Sequence, residues 1–220
     1  MEIIKYSNIG CREINQDCLA SLSFDHDKSI HIVADGIGGY DCGEIASKIV
    51  CESYIHGLVN NLSIDEVTKE VSRNIQTECR NLGVSKMGST VAAVFLNGLQ
   101  ALIFWAGDSR VYVFRDKHLL YQTEDHSLLN ELSRVRELTF DEKKRYKHII
   151  TRSIMGNADD KVDHDNLELC FGDEILICTD GMYNEYPIDY LIESIRMDKL
   201  DIEKRNDSFT DNHSFIYILL

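Results

Sequence analysis

The chain has 220 residues, of which 44% are hydrophobic and 27% are charged, and its formal net charge is −14. This length suits one large domain or two small ones, with enough apolar residues for a packed core. So acidic a surface repels phosphate backbones, which argues against nucleic-acid binding. The N-terminus lacks the apolar core of a signal peptide, and no stretch could cross a bilayer. We therefore expect a soluble, cytoplasmic protein that does not bind membranes.

The first predicted elements are a strand and two helices. The apolar run Ser29–Ala34 stops at Asp35-Gly36, which is typical of a strand entering a tight turn. From Gly43 to about Val59, apolar residues recur at helical spacing. Ser63–Glu66 is a capping box, which predicts that a second helix begins here; its apolar stripe continues to Leu82.

The rest of the chain is predicted to be mainly strands joined by short turns. Asn97-Gly98 is the strongest short hairpin signal among them. In chain order, the predicted strands are Thr90–Leu96 and Leu99–Ala106 around Asn97-Gly98, Val111–Arg115 and His118–Thr123 around Asp116-Lys117 in a continuing meander, Leu167–Cys170 and Glu174–Thr179 around Gly172-Asp173, and finally Phe215–Leu220.

The balance of these elements predicts the fold class. Strands outnumber helices and the hairpins are local, which favours antiparallel sheet with helices packed outside. Val91–Leu96, Leu102–Ala106 and Ile175–Cys178 are nearly apolar throughout, so we expect both faces of each strand to be buried. Two sheets stacked between helical layers would bury them. Since no linker or repeat divides the chain, we expect a single domain over residues 1–220.

Three aspartates directly follow apolar strands. Asp35, Asp108 and Asp180 each lie where water is scarce, so ionised carboxylates gathered there would repel one another and be costly to desolvate. Divalent cations would offset this repulsion, and oxygen ligands suit Mg²⁺ or Mn²⁺ better than zinc. The alternative for each aspartate alone is an ordinary turn, in which its side chain bonds the nearby backbone.

A series of short motifs runs along the chain. They are Arg12–Asp17 (REINQD), Asp35–Gly39 (DGIGG), Gly43–Ser47 (GEIAS), Gly88–Thr90 (GST), Gly107–Arg110 (GDSR), Asp125–Ser127 (DHS), Ile150–Gly156 (ITRSIMG), Cys178–Met182 (CTDGM) and Asp211-Asn212. In this order they resemble the motifs of the metal-dependent protein phosphatases, the type 2C serine/threonine class. The resemblance covers the chain from Arg12 to its C-terminus.

The resemblance implies a fold and a set of site residues. The fold would be α+β, a four-layer αββα sandwich in which helices flank two antiparallel sheets. Residues 128–148 would form a flap beside the active site. The implied ligands of two Mn²⁺ or Mg²⁺ ions are Asp35, Asp180 and Asp211 for one ion, and Asp35 with the Gly36 carbonyl for the second, supported by Asp17 through water. Asp108 and Asp180 would form a weaker third site, and Arg12 would bind phosphate.

The implied activity is hydrolysis of phosphoserine and phosphothreonine in proteins by a water that bridges two metal ions. Such an enzyme reverses a serine/threonine kinase, so phosphorylated proteins and a cognate kinase are the expected partners of what we expect to be a monomer. The proton donor is missing from the pattern, because Ile37 and Tyr40 stand where relatives carry histidine. His126 is interpreted as a packing histidine, and no general acid is assigned.

Alternative interpretations remain for the function and for the flap. The chain could be an inactive interaction module of the same fold, although all the metal aspartates are present, or a metal-dependent nuclease, which the acidic composition disfavours. In residues 128–148, basic and acidic side chains interleave. They could receive acidic substrate segments, or they could form a salt-bridged, solvated helix.

Overall fold

The computed structural model describes residues 1–37, 42–200, 202 and 208–220; Gly38, Gly39 and Tyr40 of the sequence analysis lie outside them. The hairpins around Asn97-Gly98 and Asp116-Lys117 are confirmed. In chain order, the elements are β1 (Glu2–Asn8), β2 (Asp17–Ser23), β3 (Lys28–Asp35), α1 (Gly43–Val59), α2 (Ile64–Leu82), β4 (Val91–Asn97), β5 (Gln100–Ala106), β6 (Arg110–Arg115), β7 (His118–Gln122), α3 (Leu128–Ser133), α4 (Phe140–Tyr146), β8 (Asp163–Glu168), β9 (Glu174–Cys178), α5 (Asp180–Glu185), α6 (Ile188–Arg196) and β10 (His213–Leu219).

The strands form two five-stranded antiparallel sheets. The first sheet has the order β1-β10-β9-β6-β7, and the second has the order β2-β3-β4-β5-β8. Buried residues of α1 and α2 pack on the second sheet, while those of α5 and α6 pack on the first. A third apolar cluster fills the space between the two sheets. The predicted α+β sandwich, two antiparallel sheets flanked by helices, is confirmed.

Alternating side chains of the central strands enter different layers. Ile32 of β3 packs towards α1 and α2, whereas the next residue, Val33, enters the core between the sheets. On β9, Leu176 packs towards α5 and α6, and Ile177 faces the other sheet. All four side chains are fully buried, and each contributes roughly 1.5–3 kcal/mol of hydrophobic stabilisation. These two-sided strands hold the sheet ends firmly in place.

The two long helices begin and end as their sequences predict. Ser63 accepts a hydrogen bond from the Glu66 backbone, and the Glu66 carboxylate accepts one from the Ser63 backbone at 2.9 Å. At the other end of α2, Gly83 adopts a left-handed conformation (φ +68°) that suits glycine. None of the helices in the described ranges is long and apolar enough to span a membrane.

The prediction that Leu167–Cys170 and Glu174–Thr179 form a hairpin is wrong. The first of these strands is β8, which begins earlier and pairs with β5 of the second sheet. The other is β9, which pairs with β10 and β6 of the first sheet. The Gly172-Asp173 turn therefore crosses between sheets. It is held by Arg115, which donates two hydrogen bonds to the Asp173 carboxylate.

The predicted meander is also interrupted, because the chain changes sheet between β5 and β6. In addition, the sequence analysis did not predict β1 and β2. Both are edge strands with mixed exposure, so their sequences lack the continuous apolar character of the central strands. These two strands position the Arg12 loop and Asp17.

Residues 128–148, the predicted flap, contain the short helices α3 and α4, in which no residue is buried. Ion pairs join Arg134 to Glu124 and Arg136 to Glu142, each at 2.6 Å. The basic residues Lys143 to Arg145 form no ion pair with any described residue. The segment therefore contains both salt-bridged side chains and basic side chains that form no ion pair with the described residues. Its role as a flap stays a prediction.

Candidate functional site

Five of the predicted site aspartates come together at one end of the two sheets. Asp17 and Asp35 are register partners at the ends of β2 and β3. Asp180 is the first residue of α5, directly after β9, and Asp211 lies just before β10. Asp108 lies in the connection by which the chain changes sheet. Asp35 is electrostatically coupled to each of the other four.

Burial and mutual repulsion disfavour the ionised form of four of these carboxyl groups, those of Asp17, Asp35, Asp108 and Asp180. Burial, and then the charges of the neighbouring aspartates, hold the pKa of Asp35 well above its usual range. Burial also raises the pKa of Asp17 and of Asp108 to about 7 each. For Asp180, burial and then the charge of Asp211 raise the pKa, while a hydrogen bond from the Gly181 backbone opposes the shift. Such a cluster needs either protons or cations to be stable.

The donor chemistry of this cluster fits a hard divalent cation. The Oδ1 atom of Asp17 is the one buried side-chain oxygen or nitrogen among the described residues that has no hydrogen-bond partner. Its Oδ2 accepts a hydrogen bond from Thr179 at 3.1 Å. Within the described ranges, no three Asp, Glu, His or Cys side chains already have coordinating geometry around one point. The all-oxygen set nevertheless matches the preference of Mg²⁺ and Mn²⁺.

Two glycines allow the backbone to approach closely at this site. A Cβ atom on Gly36 would collide with the backbone of Gly43, where α1 begins. A Cβ atom on Gly181 would collide with the backbone carbonyl of Asn212. Glycine therefore brings the turn after β3 against α1, and the start of α5 against the strand entry that carries Asp211.

Arg12 reaches the cluster from the loop between β1 and β2. Its Nη2 donates to Asp211 Oδ2 at 2.7 Å, and the two side chains are 53% and 36% exposed. An exposed guanidinium with donors to spare, held beside buried carboxylates, can bind an anion at this point.

Asn212 holds the Arg12 loop in position. Its Nδ2 donates to the carbonyls of Ile9 and Ile14, at 2.9 and 3.1 Å, and its Oδ1 accepts from the Gln16 backbone at 2.8 Å. The motif Asp211-Asn212 was recognised in the sequence, but this clamp was not. Because its partners lie about two hundred residues away in the chain, no local pattern could have indicated them.

A network of side chains supports the turn that carries Asp108. Tyr183 donates from its hydroxyl to the Asp108 carbonyl at 2.9 Å. Arg110 packs over the Tyr183 ring at 3.6 Å and donates two hydrogen bonds to Asp125, each at 2.7 Å. Thr90 links this turn to the rest of the site, since its hydroxyl contacts Ser109 and accepts from the Asp35 backbone.

His126 packs within the fold, as the sequence analysis interpreted it. Its Nδ1 accepts from the Gly107 backbone at 3.1 Å, its Nε2 contacts Asp163 at 3.0 Å, and its ring stacks on Trp105. Ile37, which follows Gly36, is aliphatic and supplies no proton. No sequence motif points to His148, which nevertheless acts electrostatically on Asp180 and opposes the rise in the pKa of that carboxyl group.

Comparison with known proteins gives the family of this chain. A family model described as protein phosphatase 2C matches residues 6–209. The protein phosphatase PhpP of Streptococcus pneumoniae serotype 2 is 30% identical over 196 residues, which cover 84% of this chain and 80% of PhpP. The serine/threonine phosphatase stp of Listeria monocytogenes serovar 1/2a is 28% identical over 222 residues, covering 93% and 86% of the two chains.

A solved structure has the same fold. The catalytic domain of the serine/threonine protein phosphatase PstP, in complex with 2 manganese ions, superposes with a TM-score of 0.79. The sequences are 22% identical, and the match covers 98% of this chain and 96% of that domain. The family model spans most of the chain, and the relatives match it along most of their length. The chain therefore belongs to the protein phosphatase 2C family of serine/threonine phosphatases.

Proposed function

We propose that this chain hydrolyses phosphoserine and phosphothreonine in proteins with the help of two divalent cations, and so reverses the action of a serine/threonine kinase. The observation that carries the proposal is the cluster of buried carboxyl groups from both sheets, with the unpartnered Oδ1 of Asp17 among them. When bound, two such ions supply an activated water and neutralise phosphate charge.

Each acidic residue has a role in the proposal. Asp35, Asp180 and Asp211 would hold one ion, and Asp35 with the Gly36 carbonyl would hold the second. Asp17 would support the second ion through water. Manganese is one candidate, because the similar PstP domain is described in complex with 2 manganese ions, and magnesium is the other. Asp108 and Asp180 are proposed to hold a weaker third ion.

Arg12 would bind the phosphate group. In the structure its guanidinium donates to Asp211 at 2.7 Å. The planar fork of the guanidinium has further donors, which could bind two phosphate oxygens. Arg12 would thus neutralise negative charge on the phosphoryl oxygens. This interaction would become stronger as the ester bond breaks.

The remaining parts of the proposal concern the setting of the reaction. We take residues 1–220 as one catalytic domain that acts as a monomer in the cytoplasm, with residues 128–148 as its flap. Its substrates would be phosphorylated proteins, and its partner would be the kinase whose products it hydrolyses. An inactive binding module of the same fold is the alternative that the experiment must distinguish.

The test is hydrolysis of an aryl phosphate and of a phosphothreonine peptide with Mn²⁺, with Mg²⁺ and with a chelator. We expect activity with metal that is lost with the chelator and in Asp35→Asn and Asp180→Asn. Asp116→Asn is the matched control, because Asp116 is exposed in the β6–β7 turn and its positive φ of 51° suits asparagine. Activity that survives chelation would contradict the mechanism, and inactivity with every metal would favour the binding module.

A further inference from the structure

A cavity of about 670 Å³ opens beside the candidate metal centre. One end is lined by Ile37, which directly follows Gly36, and the wall is formed by Lys86 and by residues between 148 and 161. Its volume lies within the range of sites that bind small ligands or a few amino-acid side chains. Residues of the Ile150–Gly156 motif form part of its wall, but the proposed metal chemistry assigns no role to this cavity.

Two lining residues connect the cavity to the metal centre. The Ile37 backbone donates to the Gly88 carbonyl at 3.0 Å, which fixes the end of the Asp35–Ile37 turn where Ile37 lines the cavity. His148 lines the same cavity and lies close enough to Asp180 for its charge to act on that carboxyl group. The cavity is therefore within reach of a polypeptide whose phosphorylated residue binds at the metal centre.

Two charged groups of the cavity wall, Asp160 and Arg152, are already engaged within the fold. The carboxylate of Asp160 accepts from three successive backbone N–H groups, those of Met155, Gly156 and Asn157, at 2.8 to 3.0 Å. It also accepts from the Ser72 hydroxyl at 2.9 Å. Arg152 is paired with Asp163. Asp160 and Arg152 therefore serve the fold, and their charges are not available to a ligand.

The lysines of the cavity are different. Lys86 and Lys161 are exposed, and neither forms an ion pair with any residue that the structure describes. Against their two charges the wall presents one exposed carboxylate that is not engaged, that of Asp159. In a chain of net charge −14, such a surplus of positive charge is a local exception. Ile149, with 43% of its surface exposed, adds an apolar patch to the same wall.

We propose that this cavity binds the part of a phosphoprotein that flanks the phosphorylated residue, and that Lys86 and Lys161 select acidic side chains there. This inference rests on the phosphatase activity proposed above and adds a substrate class to it. Long-range attraction by the two ammonium groups would also favour approach of an acidic segment to an otherwise repelling surface.

The test compares two phosphothreonine peptides that differ only in their flanking residues, glutamate in one and glutamine in the other, together with an aryl phosphate. We expect the unmodified enzyme to prefer the glutamate peptide. In the double variant Lys86→Gln/Lys161→Gln this preference should fall about threefold to tenfold, through KM rather than kcat, as expected for two exposed ion pairs. Activity on the aryl phosphate should not change.

Lys28→Gln/Lys48→Gln is the matched control. Lys28 begins β3 at the end opposite Asp35, and Lys48 is exposed on α1, so both changes remove the same charge elsewhere. An equal loss of glutamate preference in this control would overturn the inference, because net charge alone would then explain it. An equal rise in KM for the aryl phosphate in the cavity variant would also overturn it, because the lysines would then act on the phosphate.

Binding separates this inference from the proposed activity. Fluorescence anisotropy of the two labelled peptides, measured with chelator present, requires no turnover. Tighter binding of the glutamate peptide that depends on Lys86 and Lys161 would support the cavity as a docking site even if no hydrolysis were found. Equal binding of both peptides by the unmodified protein would contradict it, whatever the activity.

Discussion

The candidate metal centre and the neighbouring flap segment, residues 128–148, are built in opposite ways. Two carboxylates of the centre, those of Asp35 and Asp180, lie at the ends of β3 and β9, whose side chains are buried on both faces. The flap segment consists of two short helices with no buried residue, which are held by caps and surface ion pairs. Groups held on rigid elements suit chemistry, whereas exposed groups that rearrange easily suit recognition of a substrate.

The largest expected effect follows from removing a ligand of the metal centre. Asp35→Asn should lower kcat by roughly a thousandfold, because metal catalysis contributes several kcal/mol to the barrier. Mn²⁺ at a hundredfold excess over its Kd should raise the free energy of unfolding of the unmodified protein by about 2.7 kcal/mol. The thermal unfolding midpoint should therefore rise by several degrees. We expect no such shift in Asp35→Asn. A shift as large as in the Asp116→Asn control would show that Asp35 is not a ligand.

The second prediction concerns the strand that carries Asp35. His31 of β3 is fully buried between the hydroxyls of Ser21 and Ser29, at 2.8 and 3.0 Å. Burial, and next the charge of Lys5, lower its pKa from 6.5 to about 4. Because the unfolded chain takes up the proton first, the stabilisation is complete above about pH 6.5 and is lost as the pH falls towards 4.

The loss amounts to roughly 3 kcal/mol of unfolding free energy. Denaturant unfolding at several pH values measures it, and the relevant quantity is the difference in slope between the unmodified protein and His31→Gln. The variant should lose most of the pH dependence in this window, although its absolute stability will also change. If the unfolding free energies of the two proteins depended equally on pH, His31 would not be as deeply buried in β3 as the structure shows. The contrast between this strand and the flap segment would then be weaker.

The third prediction concerns Arg12, the exposed basic group beside the candidate metal centre. Arg12→Ala should reduce kcat/KM by roughly tenfold to a hundredfold, as for the loss of a charge-assisted, two-pronged contact to phosphate. Arg12→Lys retains the charge but not the fork, so it should restore only part of the activity. Full activity in the lysine variant would show that Arg12 acts through its positive charge alone, and not through two directed hydrogen bonds to phosphate.

The smallest effect is expected in the flap segment itself. Replacing Lys143, Lys144 and Arg145 by glutamine removes charges that form no ion pair with the described residues. If these charges contact substrate, KM for a phosphoprotein should rise up to a few fold while KM for an aryl phosphate stays constant. Stability should change by less than about 1 kcal/mol, since none of these residues is buried. Equal effects on both substrates would favour the solvated-helix interpretation.

Local patterns were sufficient to predict much of the fold. The Asn97-Gly98 hairpin, the Ser63 capping box and the two-sided central strands all depend on neighbours within a few residues. The positions of the aspartates at strand ends were visible for the same reason. Resemblance to a family then assigned them a common purpose, and the structure brings all five to one end of the two sheets.

The sheet to which each strand belongs was decided by tertiary structure. Leu167–Cys170 and Glu174–Thr179 look like a hairpin, but each is paired with strands distant in sequence, and edge strands β1 and β2 were missed. Tertiary structure also decided the contacts of Asn212 with the Arg12 loop. It likewise brought Lys86, His148 and Lys161 to one cavity. Such contacts depend on packing between segments far apart in the chain. Sequence alone therefore determined which residues could do chemistry, whereas the tertiary fold decided which of them meet.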